Sequence, residues 1–591
     1  MDRLGRVTLL MAASMMLGQA AQAQTQTQQQ QYAEFKKKAQ GDYKDFRRKA
    51  NEEYAKFLKK AWSSYEAKAP RPKPVEKDVK PVVLDEKKPT KPIKDREIKA
   101  EEAKPQPQPE PQPQPLEVVV PVKMSKIPVV KPFTVPKVTM PVKLKNMPAV
   151  VPAVKDKEEE NKEIAEEKPT TPEEKPTAPD VKPVVVAPIT PVVPSVVPTI
   201  PAVQPVVIVD TPVVPAYVDD TPLDDSYVVF ETFGTECRVR FSLRDFSFGN
   251  TLTNDAVSNA WLTFTNSDID NTLYDCLEIR KELQLSDWAY YLMLKSFARK
   301  CFGDSNEAVF LQAYLYCQSG YKMRLGRAGD KLRLLVGSRH VVYGKSFHFI
   351  NGEDFYALDS KDPKLMICEV GFPKEQAMSF YITQEQLYAD NDTPMREIKS
   401  KRYSDMAFSV NVNKNLLDFY DTYPASVMVE NSLTTWEMYA RTPLESRVKA
   451  QLYPEMMQRL EGKTQLEAVN RLLNWVQTGF VYEYDEKVWG TDRAFFAEET
   501  LYYPYCDCED RSILLSHLVR DLVGLDVLLV YYPGHLASAV AFTEDVKGDY
   551  ISYNGRKFVV CDGTYIGASV GMTMPGMDNQ KAKVILLEAE K

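Results

Sequence analysis

Apolar and polar positions follow three different rhythms along this chain. Over 32–65, Tyr32, Phe35, Ala39, Tyr43, Phe46, Ala50, Tyr54, Phe57, Ala61 and Tyr65 recur in steps of three, four and four. That repeat of 11 residues, about 3.67 per turn, predicts an amphipathic helix within a segment spanning 24–68. Lysines, arginines and acids fill the other faces. Such a helix must cover its aromatic stripe. Self-association as a coiled coil, docking on a partner, and contact with an anionic membrane surface would each do so.

The second rhythm is proline. Over 69–225 it recurs every few residues, with valine, lysine and glutamate between, as in PQPQPEPQPQP at 105–115. Proline removes backbone donors and breaks both helix and ladder. The segment is expected to be a disordered, extended linker. Its ~155 residues could reach at most on the order of 480 Å at roughly 3.1 Å each.

The third rhythm begins near Ser226, where helix and strand patterns alternate over about 365 residues. This predicts an α+β fold. In PYCDCEDRSILLSHLV, at 504–519, Leu515, Leu518, Val519, Leu522 and Val523 form a helix stripe that Gly524 ends. Cys508 then starts the helix, with Asp507 as its cap. Unpaired N–H groups there favour thiolate. Glu509 and Asp510 oppose this unless Arg511 or another cation balances them. LDVLLVYY reads as a buried strand, and PGHLASAVAF starts a second with His535, Ala537 and Ala539 on one face. YNGRKFVVCDGTY turns at Asn554-Gly555 into a third, which shares Phe558, Val560 and Asp562 on one face. Thiol, imidazole and carboxylate thus follow at equal steps of 27 residues.

Composition narrows the function. A net charge of −7 gives no electrostatic case for nucleic acid. Arg3 and Arg6, an apolar run from Val7 to Leu17 and Ala21-Gln22-Ala23 read as a signal peptide over 1–23, so the chain is expected to be secreted or periplasmic. No cysteine follows for a lipid anchor, and no later stretch reads as transmembrane. The eight cysteines are too sparse for a disulfide scaffold, with one or two bridges left open. Cys-x-Cys with one distant histidine lacks closed zinc spacing, so no metal or other cofactor is expected.

The runs DCEDRSILLSHLVRDLVGLDV, PGHLASAV and NGRKFVVCDGTY resemble the core of the transglutaminase-like superfamily, a papain-like cysteine fold. TQLEAVNRLLNWVQTGFVYEYD and FFAEETL match the approach to it. The resemblance covers about 460–575, within a domain placed at 460–591. It implies a helix-plus-antiparallel-sheet core with Cys508 as nucleophile, His535 as base and Asp562 as orienting acid. It also implies a protein or peptide substrate, cut or transferred through a thioester. Hydrolysis and cross-linking both stay open, as does a non-catalytic envelope adaptor that uses the same head for binding. Trp489 and Tyr503 are candidates near the oxyanion, Cys506 reads as incidental and His517 as a solvated or packed helix residue.

A worn copy of the same core is expected over 226–385, joined by a connecting region at 386–459. There NGEDFYALD at 351–359 parallels NGRKFVVCD at 554–562. Asn306 or a neighbour stands where the thiol would be, Lys331 or His340 where the histidine would be, and Asp359 keeps the acid.

Overall fold

The computed structural model describes residues 227–589 apart from 250, 429–432 and 580, together with 44–74, 79–84 and a few positions between 34 and 42. The expected signal peptide and most of the proline-rich linker lie outside these residues. Mixed helices and antiparallel sheets make an α+β fold.

The N-terminal helix, α1, covers 44–59. It packs against the chain's own folded part. Tyr54, Ala55, Leu58 and Trp62 enter the main core. Asn51 is buried beside them and exchanges hydrogen bonds with Gln318 at 3.0 and 2.9 Å. It also accepts from Trp261 Nε1 at 2.8 Å. The buried face is therefore offset from the tyrosine–phenylalanine stripe. Phe35, Phe46 and Phe57 stay exposed, the first two at 70% and 68%. The helix also stops earlier than its repeat predicts. Ser63–Glu66 form strand β1, because an open sheet edge supplies partners for their backbone.

The first half of the folded part centres on a helix, α2 (Asn306–Gln318), and a sheet. Its strands are β2 (Met323–Ala328), β3 (Lys331–Gly337), β4 (Phe347–Ile350), β5 (Glu353–Tyr356) and β6 (Lys364–Ile367). The order is β1-β6-β2-β3-β5-β4. Lys68, just past β1, bridges to Phe347 of β4, so the N-terminal segment touches both edges.

The second half has helices α3 (Gln465–Gly479) and α4 (Cys508–Val523). Gly524 ends α4 in a left-handed conformation that glycine adopts without strain. Strands β7 (Val527–Tyr532), β8 (His535–Val540), β9 (Tyr550–Tyr553), β10 (Arg556–Cys561) and β11 (Lys583–Leu587) follow. Their order is β9-β10-β8-β7-β11.

The two halves share one topology. Setting α2 on α4 sets β6-β2-β3-β5-β4 on β11-β7-β8-β10-β9, antiparallel throughout. The registers agree as well. Ala328 faces Lys331 as Tyr532 faces His535. Val336 faces Tyr356 as Val540 faces Val559, and Phe347 faces Tyr356 as Tyr550 faces Val559. A one-residue slip in either half would turn a whole strand face over, so this agreement is specific.

The region expected merely to connect is built into the same body. Its strand Arg396–Lys399 accepts the Trp475 indole N–H of α3 at Ile398, at 3.1 Å. Its helix Leu433–Arg441 accepts Arg520 of α4 at Ala440, at 2.6 Å.

Candidate active site

Cys508 is the first residue of α4, and Leu536 is the second of β8. The Leu536 N–H donates to Cys508 Sγ at 3.4 Å, and Ser512 Oγ donates to the Leu536 carbonyl at 2.9 Å. Helix and strand are thus zipped together beside His535. Asp562 follows the end of β10, and its Oδ2 lies 2.9 Å from His535 Nε2. Its other oxygen accepts the Thr564 and Tyr565 N–H groups at 2.8 and 3.1 Å. Gln477 of α3 fixes the backbone of this turn. Its amide donates to the carbonyls of Asp562, Tyr565 and Ala568 and accepts from the Gly567 N–H.

Burial works to raise the Asp562 pKa. The His535 charge and hydrogen bond, with the two N–H donors, outweigh it and hold the carboxyl below its usual range. His535 Nδ1 is buried and has no hydrogen-bond partner among the described residues. The histidine therefore has one nitrogen oriented and the other open. Tyr532 stacks alongside the ring.

The thiol differs from expectation. Cys508 is 3% exposed, and burial first, then Glu509 and Asp507, push its pKa well above the usual thiol value. Its Sγ–H donates to Glu509 Oε2 at 3.2 Å. Burial and the neighbouring acids thus oppose the helix N-terminus at this sulfur. Arg511 is turned away. It is fully buried, donates to Cys506 Sγ at 3.4 Å, and spends its other donors on the carbonyls of Gln477, Phe480 and Gly563. Cys506 is thus a packing partner of Arg511. Burial takes its thiol up to about 11 although the guanidinium pulls the other way. Asp507 is the N-cap of α4 and forms a reciprocal capping box with Asp510. In it the Asp510 carboxylate takes the Asp507 N–H at 3.2 Å.

Acids that lie apart in sequence gather at this helix start. Asp485, Asp507 and Asp510 bring carboxylate oxygens within 4.8 Å of one another, and Asp507, Cys508 and Glu509 form an overlapping group. Burial, then the neighbouring Glu509, takes Asp485 up to about 8. Asp507 and Asp510 are raised well above the usual range by burial and by their neighbours. A hard divalent cation is the kind of ion that an oxygen-dominated group like this suits. The sequence reading weighed only thiol and imidazole spacing for zinc and missed this cluster. Nothing local links Asp485 to Asp507.

His517 is buried within α4, near Arg520, and burial lowers it to about 3. Trp489 and Tyr503 pack ring against ring, 4.7 Å apart. All eight cysteines are free, so neither of the bridges left open is present.

The first half repeats the helix-to-strand contact with other residues. Asn306 begins α2 as Cys508 begins α4, and the Leu332 N–H donates to Asn306 Oδ1 at 2.8 Å as that of Leu536 does to the sulfur. Lys331 starts β3 where His535 starts β8. His340 lies on a separate short strand, His340–Val342. Asp359 is held by Lys295 at 2.5 Å and by the Tyr291 hydroxyl at 3.0 Å. Asn306, Lys331 and Asp359 line one cavity of about 530 Å³.

Compared with known proteins, the chain matches no family model, and no curated protein or solved structure matches it significantly.

Proposed function

We propose that this chain is an exported cysteine enzyme of the transglutaminase-like kind, acting on amides of proteins or peptides. One observation carries the reading: an oriented, buried His535–Asp562 pair has its free Nδ1 on the strand whose next N–H meets Cys508 Sγ. In the reaction His535 takes the thiol proton as sulfur attacks the carbonyl. The carbon–nitrogen bond then breaks, and the leaving amine takes that proton. A thioester remains on Cys508. Water releases the acid, or an amine forms a new amide. The Cys508 N–H, at the helix start, is placed to help hold the oxyanion.

We read the matching ladders as an internal duplication of a papain-like core, with the copy at 226–385 kept for recognition. Its asparagine cannot attack, and its cavity offers a place for a substrate segment. The exposed Phe35, Phe46 and Phe57 remain the surface for self-association or membrane contact. The test is to incubate the full chain with a peptide library, with and without an added amine, and to weigh the products. New acids or amides that vanish in Cys508→Ala support the reading; unchanged peptides overturn it.

The Cys508–Glu509 contact favours a second reading. A buried thiol bonded to a carboxylate is a poor nucleophile, as a non-catalytic envelope adaptor would tolerate.

A further inference from the structure

The proline-rich segment does not leave the folded part at residue 69. Arg71 pairs with Asp354 and Lys73 with Asp492, both at 2.7 Å. Residues 79–84 then run extended across the catalytic half. The Val79 N–H donates to the Gly534 carbonyl at 3.1 Å. The Ile566 N–H donates to the Val82 carbonyl at 2.9 Å, and the Leu84 N–H to the Ile566 carbonyl at 2.8 Å. Val83 pairs with Ile566 as a parallel bridge. Val79, Val82 and Leu84 pack on Tyr565, Ala568 and Met574, while Lys80 and Val83 face solvent.

These contacts have two consequences. They are those of peptide recognition by strand addition, with backbone bonds for affinity and spaced side chains for selection. They also fall on the two turns that carry the site. Gly534 immediately precedes His535, and Ile566 follows the turn held by Asp562. With the strap in place, Cys508, His535 and Asp562 are all buried.

The sequence carries the same motif a second time. Asp-Val-Lys-Pro-Val-Val at 78–83 recurs without change at 180–185, and Val186 follows where Leu84 does. All three side chains that grip the ledge have an aliphatic counterpart, in Val181, Val184 and Val186.

We propose that the ledge at Gly534 and Ile566 is a docking strip for extended, valine-rich, proline-interrupted strands. Residues 79–84 hold it as a built-in pseudo-substrate, in the place that a strand of a protein substrate would take. This rests on the enzymatic reading for its substrate role, but strip and occupant stand on the backbone pairing alone. A protein substrate of the enzyme presents a strand of this chemistry beside His535, and must displace the strap to do so.

The test uses the full chain with both motifs broken: Val82→Asp with Leu84→Asp, and Val184→Asp with Val186→Asp. The probe is a fluorescein-labelled peptide of residues 180–186, followed by anisotropy. A short tether gives the strap a high effective concentration, so the altered chain should bind the probe at least about ten-fold tighter than the natural one. Hydrogen exchange at the Ile566 amide gives a local readout. It should be slow in the natural chain, fast in the altered chain, and slow again once the probe is added. An altered chain with native circular dichroism that fails to bind the probe, or that keeps Ile566 protected without it, overturns the proposal. Probe binding should survive Cys508→Ala. Binding without any catalysis would sink the enzymatic reading and spare the strip, and catalysis without binding would do the reverse.

Discussion

The side-chain amide of Gln477 donates to the backbone carbonyl of Asp562 at 2.9 Å. A helix residue 85 positions upstream thereby fixes the turn that carries the carboxylate bonded to His535. Gln477→Leu would leave the carbonyls of Asp562, Tyr565 and Ala568 buried without this donor. Such losses cost about 1–3 kcal/mol per group, so a drop of about 3 kcal/mol in urea-unfolding stability is expected. A methionine of similar length at 477 should be no better, because the missing element is the amide.

Glu509 is the nearest acid to the Cys508 thiol and donates nothing in return. Glu509→Gln removes its charge and keeps its shape. Alkylation of Cys508 by iodoacetamide at neutral pH should speed up about three- to ten-fold, read by mass of the modified peptide. In Glu509→Gln combined with His535→Ala the acceleration should shrink if the imidazole acts as the proposed base. Equal rates in all three chains would mean that neither group addresses the sulfur.

Burial takes Glu498 up to about 8, with no cation among its described partners, and it accepts the Glu445 N–H at 2.7 Å. In the unfolded chain a glutamate titrates at about 4.3. Between those values the native state binds the extra proton, so stability is full below the lower value and falls as pH rises through the upper. Asp485, at about 8, and Glu499, at about 7, act in the same direction. The urea midpoint should therefore be lower at about pH 8.5 than at about pH 5.5. Glu498→Gln should make the decline shallower.

Leu58 of α1 is fully buried in the main core. Leu58→Ala should cost about 2–5 kcal/mol by the cavity it leaves. Phe46→Ala, on the exposed side of the same helix, should change stability by less than about 0.5 kcal/mol. A freely solvated helix would show no such contrast between the two substitutions in thermal unfolding.

Arg511 supplies three buried carbonyls and a sulfur with donors. Arg511→Met should destabilise by about 3–5 kcal/mol, because those acceptors are left without partners. Circular dichroism melting reads it directly. Cys506→Ala removes only one weak acceptor and should be much milder.

What could be read from the residues alone was local and periodic. The start of α4 at Cys508, its stop at Gly524, and the Asn554-Gly555 turn follow from rules that span a few residues. The parallel between Asn351-Gly352 and Asn554-Gly555 was visible for the same reason, but it left Lys331 and His340 as alternatives because the gaps between elements are not local. What stayed hidden depends on partners far away. No local rule pairs Asn51 with Gln318 and Trp261, which lie more than 200 residues away. Arg511 looked like a counter-charge for Cys508, yet three carbonyls claim it. Asp485 carries no local signal that it joins Asp507 and Asp510. Residues 79–84 share the composition of the linker, and composition has no means of saying that an edge awaits them.

Strand β1 precedes the proline-rich stretch and pairs with β6, which follows it. The chain on either side of that stretch is consequently held in one sheet. A protease that nicked it once would release nothing: the two pieces should co-elute under native conditions and part only in denaturant.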